Sequence, residues 1–201
     1  AAANAQTVVT VGVASSVSDA PIYIGQKKGF FREEGLDVRA ETFNSAANMV
    51  APLGSGQLDV GGGAPSAGLY NAIARSIRLK IVADKASSQP GYGVNRLLVR
   101  KAHIDSGRYK TPADIKGMKI AQSGVGVSSM TTLNEIIKPY GVKYSDVETI
   151  DIAFPQQVIA LQNGAIDGAL ATDPSSMLAV KSGAAVVIKA DDEVIPRHQI
   201  A

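Results

Sequence analysis

The apolar and polar positions of the N-terminal half predict short strands that alternate with helices. Residues 7–14, TVVTVGVA, form a β-branched run that is typical of a buried strand. A helix is predicted from Pro21 to Gly29, because proline suits the first helical turn and glycine adopts the left-handed conformation that closes a helix. The further strands predicted here are residues 36–43, 58–61, 79–83 and 94–100, and the further helices are residues 44–53 and 66–77. This βαβαβαββ order indicates an α/β sheet covered by helices.

A polar connection over residues 104–116 separates this series from a second one. The second series is predicted to contain strands at residues 118–122, 147–152, 166–171 and 185–189, and helices at residues 128–140, 155–163 and 174–182. We therefore predict two lobes, residues 1–103 and residues 104–195. Residues 196–201 are predicted to begin a strand that returns to the first lobe.

One sequence pattern occurs once in each predicted lobe. The stretches LGSGQLDVGGGAPS (residues 53–66) and LQNGAIDGALATDPS (residues 161–175) share Leu, Gly and Asp at matching positions, and both end in Pro-Ser. The pattern predicts the end of a helix, a short strand and a loop that leads into the next helix, with Ser66 as an N-cap. Two lobes of similar construction are expected, each with a strand that ends at a helix N-terminus.

Composition narrows the possible functions. The 201 residues are 45% apolar and 19% charged, which is typical of a folded globular protein, and the net charge of +2 comes from scattered basic residues that mark no nucleic-acid surface. No apolar run approaches the roughly 20 residues that span a membrane. Cysteine is absent, and His103 lies far from His198 in the sequence, so we predict no metal site and no disulfide, and we expect no cofactor.

The first six residues, AAANAQ, contain the small-x-small pattern at which signal peptidase cuts. The pattern predicts an exported protein from which the signal peptide has already been removed. The alternative interpretation is a flexible tail or a cloning remnant.

Ligands of open α/β sheets bind beyond the carboxyl ends of the strands, where helix N-termini point. The predicted loops at these ends are rich in small, hydroxyl and amide residues, which allow backbone N–H groups to approach a ligand, and helix N-termini favour anions. The candidate ligand-binding residues are Ser15, Ser16, Asp19, Asn44, Ser45, Gly63, Ala64, Ser66, Ser123, Gly124, Ser128 and Asp173. Each of them taken alone can be a helix cap, so the hypothesis depends on the whole set.

The catalytic motifs are weak. Residues 124–129, GVGVSS, resemble a dinucleotide-binding loop, but serine stands where the third glycine belongs. Residues 64–68, APSAG, resemble the nucleophile elbow of a hydrolase, but Pro65 disfavours the strained turn that this motif needs. The acidic run at residues 191–193 is interpreted as a surface turn. We therefore predict no catalytic residue.

Longer stretches of the chain resemble a known family. They are DAPIYIGQKKGFFREEGLDV (residues 19–38), GQLDV (56–60), LLVR (97–100), DIKGMKIA (114–121), ALQNGAID (160–167) and TDP (172–174). These stretches resemble the substrate-binding proteins of nitrate, taurine and sulfonate ABC importers, which are related to proteins that bind thiamine-pyrimidine precursors. The resemblance follows nearly the whole chain in order, so it is more specific than any single motif.

The resemblance implies an α/β fold of the type-II periplasmic binding protein class, with two α/β lobes joined by a hinge. It also implies a sheet order similar to 2-1-3-n-4, a ligand clamped in the cleft, and delivery of that ligand to the membrane permease subunits of an ABC importer. The receptor itself is not expected to span the membrane. The family's ligand-binding loops carry over to Ser15, Ser16, Asn44, Ala64, Ser66, Ser123, Gly124, Ser128 and Asp173, and Thr172 is added because it faces Ala64 across the paired loops.

Two features depart from the family pattern. Thr172 stands where many relatives have an aromatic residue, which weakens the case for stacking on the ligand. Relatives are longer, and chain that follows the second crossover completes their first lobe. We therefore expect the C-terminal part of the first lobe to be missing here. The full-length protein is expected to be a monomer, whereas the shorter chain should expose apolar surface and associate.

The favoured interpretation is a periplasmic receptor, not an enzyme, that binds a small organic anion such as a sulfonate or a carboxylate. A neutral heterocycle remains open as the ligand. One alternative is an enzyme of the same fold that acts on a pyrimidine or another heterocyclic precursor, for which Lys85 and His198 are the candidate reactive residues. Another is the ligand-sensing effector domain of a transcription factor.

Overall fold

The computed structural model describes residues 5–200, except for the side chain of Ile200. Within this range ten strands form three sheets, and short 3-10 turns connect several of the helices and strands. None of the described helices is long and apolar enough to cross a membrane. Most of the AAANAQ pattern lies outside the described residues, so the export of the protein stays a prediction.

The first lobe is built on a three-stranded parallel sheet in the order β2-β1-β3. Its strands are β1 (Thr7–Val13), β2 (Leu36–Thr42) and β3 (Val60–Gly61), and its helices are α1 (Ala20–Lys28), α2 (Phe30–Glu33), α3 (Val50–Ser55) and α4 (Ala67–Ala74). Helix α1 ends at Gly29, which adopts φ +84°, as its position in the sequence predicts. Helix α4 begins after Ser66, whose hydroxyl accepts a hydrogen bond from the Leu69 N–H at 3.1 Å, so the predicted N-cap is confirmed.

The strand predicted over residues 79–83 is wrong, because these residues form no strand. Among the described residues, β3 pairs only with β1, and its other edge faces an open cavity of about 580 Å³. Residues 78–83 line the far side of this cavity, so they have no neighbouring strand with which to form backbone hydrogen bonds. The first lobe is therefore open along one edge of its sheet.

The core of the first lobe is correspondingly small. Its cluster of buried apolar residues consists of Ala14, Met49 and Leu58, with Phe43 and Leu53 packed against it. Several apolar side chains of the sheet and of its helices line the open cavity instead of a closed core. Among the described residues, the first lobe therefore leaves apolar side chains at an open cavity, as the second lobe does not.

The second lobe is built on a five-stranded sheet in the order β7-β6-β8-β5-β9. Its strands are β5 (Arg96–Arg100), β6 (Lys119–Gln122), β7 (Glu148–Asp151), β8 (Gly168–Ala171) and β9 (Ala185–Ala190), and its helices are α5 (Lys101–Asp105), α6 (Ser128–Ile137), α7 (Phe154–Asn163) and α8 (Ser175–Lys181). Strand β6 runs parallel to β7 and β8, whereas β5 runs antiparallel to β8 and β9. Buried apolar clusters cover both faces of this sheet.

The placement of β5 corrects the predicted lobe boundary after residue 103. Strand β5 was assigned to the first lobe, but it pairs with β8 on one side and with β9 on the other. Leu97 and Leu98 are both fully buried, and they belong to clusters on opposite faces of the sheet, because successive side chains of a strand point to opposite faces. The sheet of the first lobe ends at Gly61 and the sheet of the second lobe begins at Arg96, so the chain passes from one large sheet to the other before the predicted boundary.

A third, two-stranded sheet accompanies the passage between the lobes. Strand β4 (Ala86–Ser88) pairs antiparallel with β10 (His198–Ile200). Strand β4 leads from the first lobe toward β5, and β10 follows the last strand of the second lobe. Residues 89–95 and 191–197, which lie next to this pair, are called the two connecting segments below.

Candidate ligand-binding cleft

A cavity of about 40 Å³ lies between the two lobes, at the carboxyl ends of β1, β3, β6 and β8. Six of the residues predicted as ligand-binding line it, namely Ser16, Ser45, Ala64, Ser123, Ser128 and Thr172. The candidate Gly63 lines it too. The rule that ligands bind beyond the carboxyl ends of strands therefore led to residues that the fold brings together.

The loop after β1 is held by Asp19, which is completely buried. One oxygen of its carboxylate accepts hydrogen bonds from the Ala14 N–H at 3.1 Å and from the Ser16 N–H at 2.8 Å. The other oxygen pairs with the ammonium of Lys85. Asp19 was predicted to bind ligand, but it does not line the cavity and its oxygens are engaged within the protein. Its role here is to position Ser16 and Lys85.

Lys85 lines the cavity but is not among the predicted ligand-binding residues, because it is neither a small residue nor a hydroxyl or amide residue. Its side chain is 11% exposed, and its ammonium donates to the carbonyl oxygen of Gly62 at 2.9 Å in addition to its pair with Asp19. A lysine ammonium has three N–H donors, so one donor remains for a ligand. Lys85 is the single positively charged side chain among the residues that line this cavity.

The start of helix α6 forms another wall of the cavity. Ser128 and Ser129 line it, and both lie in the first turn of the helix, where backbone N–H groups lack partners within the helix. The hydroxyl of Ser129 is buried and has no hydrogen-bond partner among the described residues. A buried hydroxyl without a partner is unfavourable, so this group is ready to bond to a ligand in the cavity.

Two further residues of the cavity were also missed. Phe154, at the start of α7, is 7% exposed and supplies an apolar wall. Asn95, just before β5, is 6% exposed, and its side chain amide donates to Asp191 at 3.1 Å. Asn95 falls within the strand predicted over residues 94–100, and Phe154 is aromatic, so neither is a small, hydroxyl or amide residue in a predicted loop at a strand end.

A second cavity, of about 330 Å³ and more polar, adjoins the first. Asn44 and Gly124, both predicted as ligand-binding, line this second cavity, and Ser123 lines both cavities. Asp151 contributes a carboxylate, which accepts a hydrogen bond from the Gln122 side chain at 3.2 Å. The predicted residues are therefore divided between two adjoining spaces. Ser15 lines neither of them, and it adopts φ +55° in the loop after β1.

The lobes touch directly beside the cavities. The Ala67 N–H donates to the Gly126 carbonyl at 2.9 Å, and the Val17 N–H donates to the Asp173 carbonyl at 2.6 Å. An isolated β-bridge joins Ser66 to Val127. These contacts between main-chain atoms of the two lobes describe a closed cleft.

The side chain of Asp173 bonds within the second lobe and does not line the cavity. It pairs with Arg96 at 2.6 Å and with the hydroxyl of Ser176. Burial raises the pKa of Asp173, but the hydrogen bonds from Ser176 and Arg96 outweigh it and hold the pKa below the ordinary value. Asp173 is therefore a paired carboxylate at the edge of the cleft, and Ser66 is engaged as the cap of α4.

A family model described as NMT1/THI5 like matches residues 17–196. The chain belongs to this family. The taurine-binding periplasmic protein of Escherichia coli K12 is 30% identical to it over 178 residues, which are 87% of this chain and 52% of that protein. A 4-amino-5-hydroxymethyl-2-methylpyrimidine phosphate synthase of Aspergillus parasiticus is 31% identical over 133 residues, which are 65% of this chain and 35% of the enzyme.

Among solved structures, the alkanesulfonate-binding protein of Xanthomonas axonopodis pv. citri, bound to MOPS, superposes with a TM-score of 0.75 at 20% identity. The match covers 100% of this chain and 65% of that one. The resemblance inferred from the sequence and the predicted fold class are confirmed: the fold is that of a type-II periplasmic binding protein, with a three-stranded first-lobe sheet that is open along one edge. The chain spans about half the length of the taurine-binding relative.

Proposed function

We propose that the chain is the ligand-binding part of a receptor that delivers a small organic anion, such as a sulfonate or a carboxylate, to the permease subunits of an ABC importer. The observation that carries the proposal is the set of unused donors at one cavity. The ammonium of Lys85 retains one N–H, and the hydroxyl of Ser129 is buried without a partner among the described residues. Both groups line the space between the lobes.

The size of the cavity supports a compact anionic group. Its volume of about 40 Å³ compares with the 10–15 Å³ or more that a water molecule needs, so it holds about three water molecules or one group of similar size. The first turn of α6 adds the positive end of a helix dipole, which favours negative charge. Phe154 provides an apolar surface for the carbon atoms attached to such a group.

A second candidate function is a reaction on a pyrimidine precursor, and the synthase relative from Aspergillus parasiticus favours it. The two candidate reactive residues support it poorly. The ammonium of Lys85 is held by Asp19 and Gly62, and His198 bonds to Asp191 and does not line the cavity. The receptor proposal needs only donors, and these are present.

The test compares ligands that differ in charge but not in shape. Ethanesulfonate and its neutral counterpart ethyl methyl sulfone are titrated into the full chain by calorimetry, together with 4-amino-5-hydroxymethyl-2-methylpyrimidine. We expect ethanesulfonate to bind and the sulfone to bind far more weakly. Binding of the pyrimidine without binding of any anion would overturn the proposal.

Two variants assign the interaction to the cavity. Ser129→Ala should lower the affinity for ethanesulfonate by roughly 10- to 150-fold, because a hydrogen bond to a charged group contributes about 1.5–3 kcal/mol. The same variant should leave the ligand-free melting temperature unchanged or raise it, because it removes a buried hydroxyl without a partner. Lys85→Gln should also weaken binding, whereas Lys181→Gln, an exposed residue at the end of α8, should not. A Ser129→Ala variant that binds normally would contradict the assignment.

The remaining expectations extend this proposal to the whole protein. We propose that the receptor acts in the periplasm after removal of a signal peptide and that the full-length form is a monomer. Cell fractionation of the native protein and sedimentation of its full-length form test these two statements separately.

A further inference from the structure

The two connecting segments meet at one carboxylate, that of Asp191, which is completely buried. One of its oxygens accepts hydrogen bonds from the Ser88 hydroxyl at 2.8 Å and lies 3.2 Å from Nδ1 of His198. The other oxygen accepts the Val94 N–H at 3.0 Å. Asp191 therefore bonds to the end of β4, to the first connecting segment and to the start of β10. The prediction of a surface turn at residues 191–193 is wrong for this residue.

The same carboxylate also reaches the ligand cavity through Asn95. The side chain amide of Asn95 donates to Asp191 at 3.1 Å, and the backbone N–H of Asp191 donates to the Asn95 carbonyl at 2.9 Å. Asn95 lines the cavity between the lobes. One residue thus connects the passage between the lobes with the wall of the binding site.

The packing around this contact leaves little freedom. A Cβ atom on Gly93 would lie 2.2 Å from an oxygen of Asp192 and 2.5 Å from the Cβ of Ala190, so the two segments approach as closely as glycine allows. Burial raises the pKa of Asp191, but the hydrogen bonds from His198, Ser88 and Asn95 outweigh it, and the net shift is downward. A buried carboxylate is stable only with such a set of donors, so the loss of one acceptor oxygen should disturb all of them.

We infer that Asp191 is a positioning residue for ligand binding: it fixes the Asn95 side chain in the cavity and ties that side chain to the two connecting segments. The inference rests on the proposed function only in its ligand-binding part. Because Asn95 and His198 bond to the same oxygen of Asp191, we expect a ligand that engages the cavity at Asn95 to change the environment of His198 as well. No other side-chain hydrogen bond among the described residues joins a residue of the cavity wall to both segments.

The test replaces Asp191 by asparagine in the full chain and uses Asp192→Asn as the matched control. Asp192 is the adjacent carboxylate, and it accepts the Gly91 N–H at 2.7 Å without bonding to Asn95. In Asp191→Asn, an amide N–H₂ group replaces an acceptor and faces donors. We expect the NMR signal of the Asn95 side chain amide to move. Hydrogen exchange of the Val94 N–H should accelerate by about 5- to 150-fold, which corresponds to the cost of about 1–3 kcal/mol for a buried group that loses its partner. Asp192→Asn should leave both unchanged.

The ligand-binding part is measured with ethanesulfonate. We expect Asp191→Asn to lower the affinity for ethanesulfonate at least tenfold and Asp192→Asn to lower it less than threefold. In the unmodified chain, ethanesulfonate should shift the NMR signals of the His198 ring. Normal affinity in Asp191→Asn, with a displaced Asn95 signal, would overturn the inferred coupling. If ethanesulfonate does not bind the unmodified chain, the proposed function fails. The ligand-free signals of Asn95 then decide the inference alone, and an unchanged Asn95 signal overturns it. Should Asp191→Asn not fold, Ser88→Ala removes one donor and must displace the same signal.

Discussion

The contact between Gly124 and Ser45 gives the sharpest test of the closed cleft. Gly124 belongs to the second lobe and Ser45 to the first, and Ser45 is 1% exposed. A Cβ atom on Gly124 would lie 2.6 Å from the Ser45 hydroxyl oxygen and 3.0 Å from its Cβ. The backbone of Gly124 is not in the left-handed region, so alanine at this position adds a contact between the lobes without straining the backbone. The perturbation is therefore Gly124→Ala.

The magnitude follows from these distances. The contact with the oxygen is about 0.8 Å shorter than the 3.4 Å at which ordinary contact begins. The hydroxyl cannot simply rotate away, because it donates to the Asn48 side chain at 2.6 Å, and loss of that bond costs about 0.5–1.5 kcal/mol. Inserting a methyl group into a packed contact costs about 1–3 kcal/mol, which corresponds to roughly 5- to 150-fold in the ratio of closed to open forms.

The assay has a ligand-free and a ligand-bound part. Small-angle scattering of Gly124→Ala should give a larger radius of gyration than the unmodified chain. Calorimetry with ethanesulfonate should give a lower affinity, with that factor as the upper limit of the loss, because the affinity depends on the fraction of closed molecules. In the Ser45→Gly background the new methyl group meets no side chain, so Gly124→Ala should change the affinity for ethanesulfonate little there. An equal loss of affinity in both backgrounds, or no loss in either, would refute the proposed contact.

Two further predictions concern the second lobe. Tyr109→Phe should leave the melting temperature unchanged or raise it, because the Tyr109 hydroxyl is buried without a partner among the described residues. Burial also raises the pKa of Tyr109, so the group stays a neutral phenol. Tyr144→Phe, which loses a 3.0 Å hydrogen bond to Gln122, should lower the free energy of unfolding by about 1 kcal/mol in the same thermal scan. Burial raises the pKa of Asp167, but hydrogen bonds from the Lys119 N–H and His103 outweigh it and lower the pKa overall. The stability that Asp167 contributes is therefore present above the ordinary carboxyl pKa and is lost as pH falls through the lowered value. Asp167→Asn should destabilise the protein at pH 7, with a difference that narrows in acid; a constant difference across that range would contradict the assignment.

Much of the fold was predictable because its signals are local. The β-branched run of β1, the glycine that ends α1 and the serine that caps α4 each act within a few residues. The strand and both helix ends are confirmed, although β1 is buried only over its last three residues. Strand partners are not local. Residues 79–83 have the composition of a strand but no neighbour beside them, and β5 lies in the second lobe because β8 and β9 are there to pair with it. The sequence contains no local signal for either outcome.

The candidate site was predictable in part for the same reason. Helix caps and small residues at strand ends led to Ser16, Ser45 and Ser128, which line the cavity. The same signals cannot distinguish a residue that faces the cavity from one that supports it, so Asp19 was taken for a ligand-binding residue. Lys85 carries no such signal, since its place in the cavity depends on Asp19, which lies 66 positions earlier in the chain.

The hydrogen bonds that close the cleft have an evolutionary consequence. Two of them, from Ala67 to Gly126 and from Val17 to Asp173, join main-chain atoms, which every residue except proline can supply. Side chains around the cavity can therefore be exchanged during divergence without loss of the bonds that bring the lobes together. A family whose members bind taurine in one case and make a pyrimidine phosphate in another is the outcome that such a separation permits.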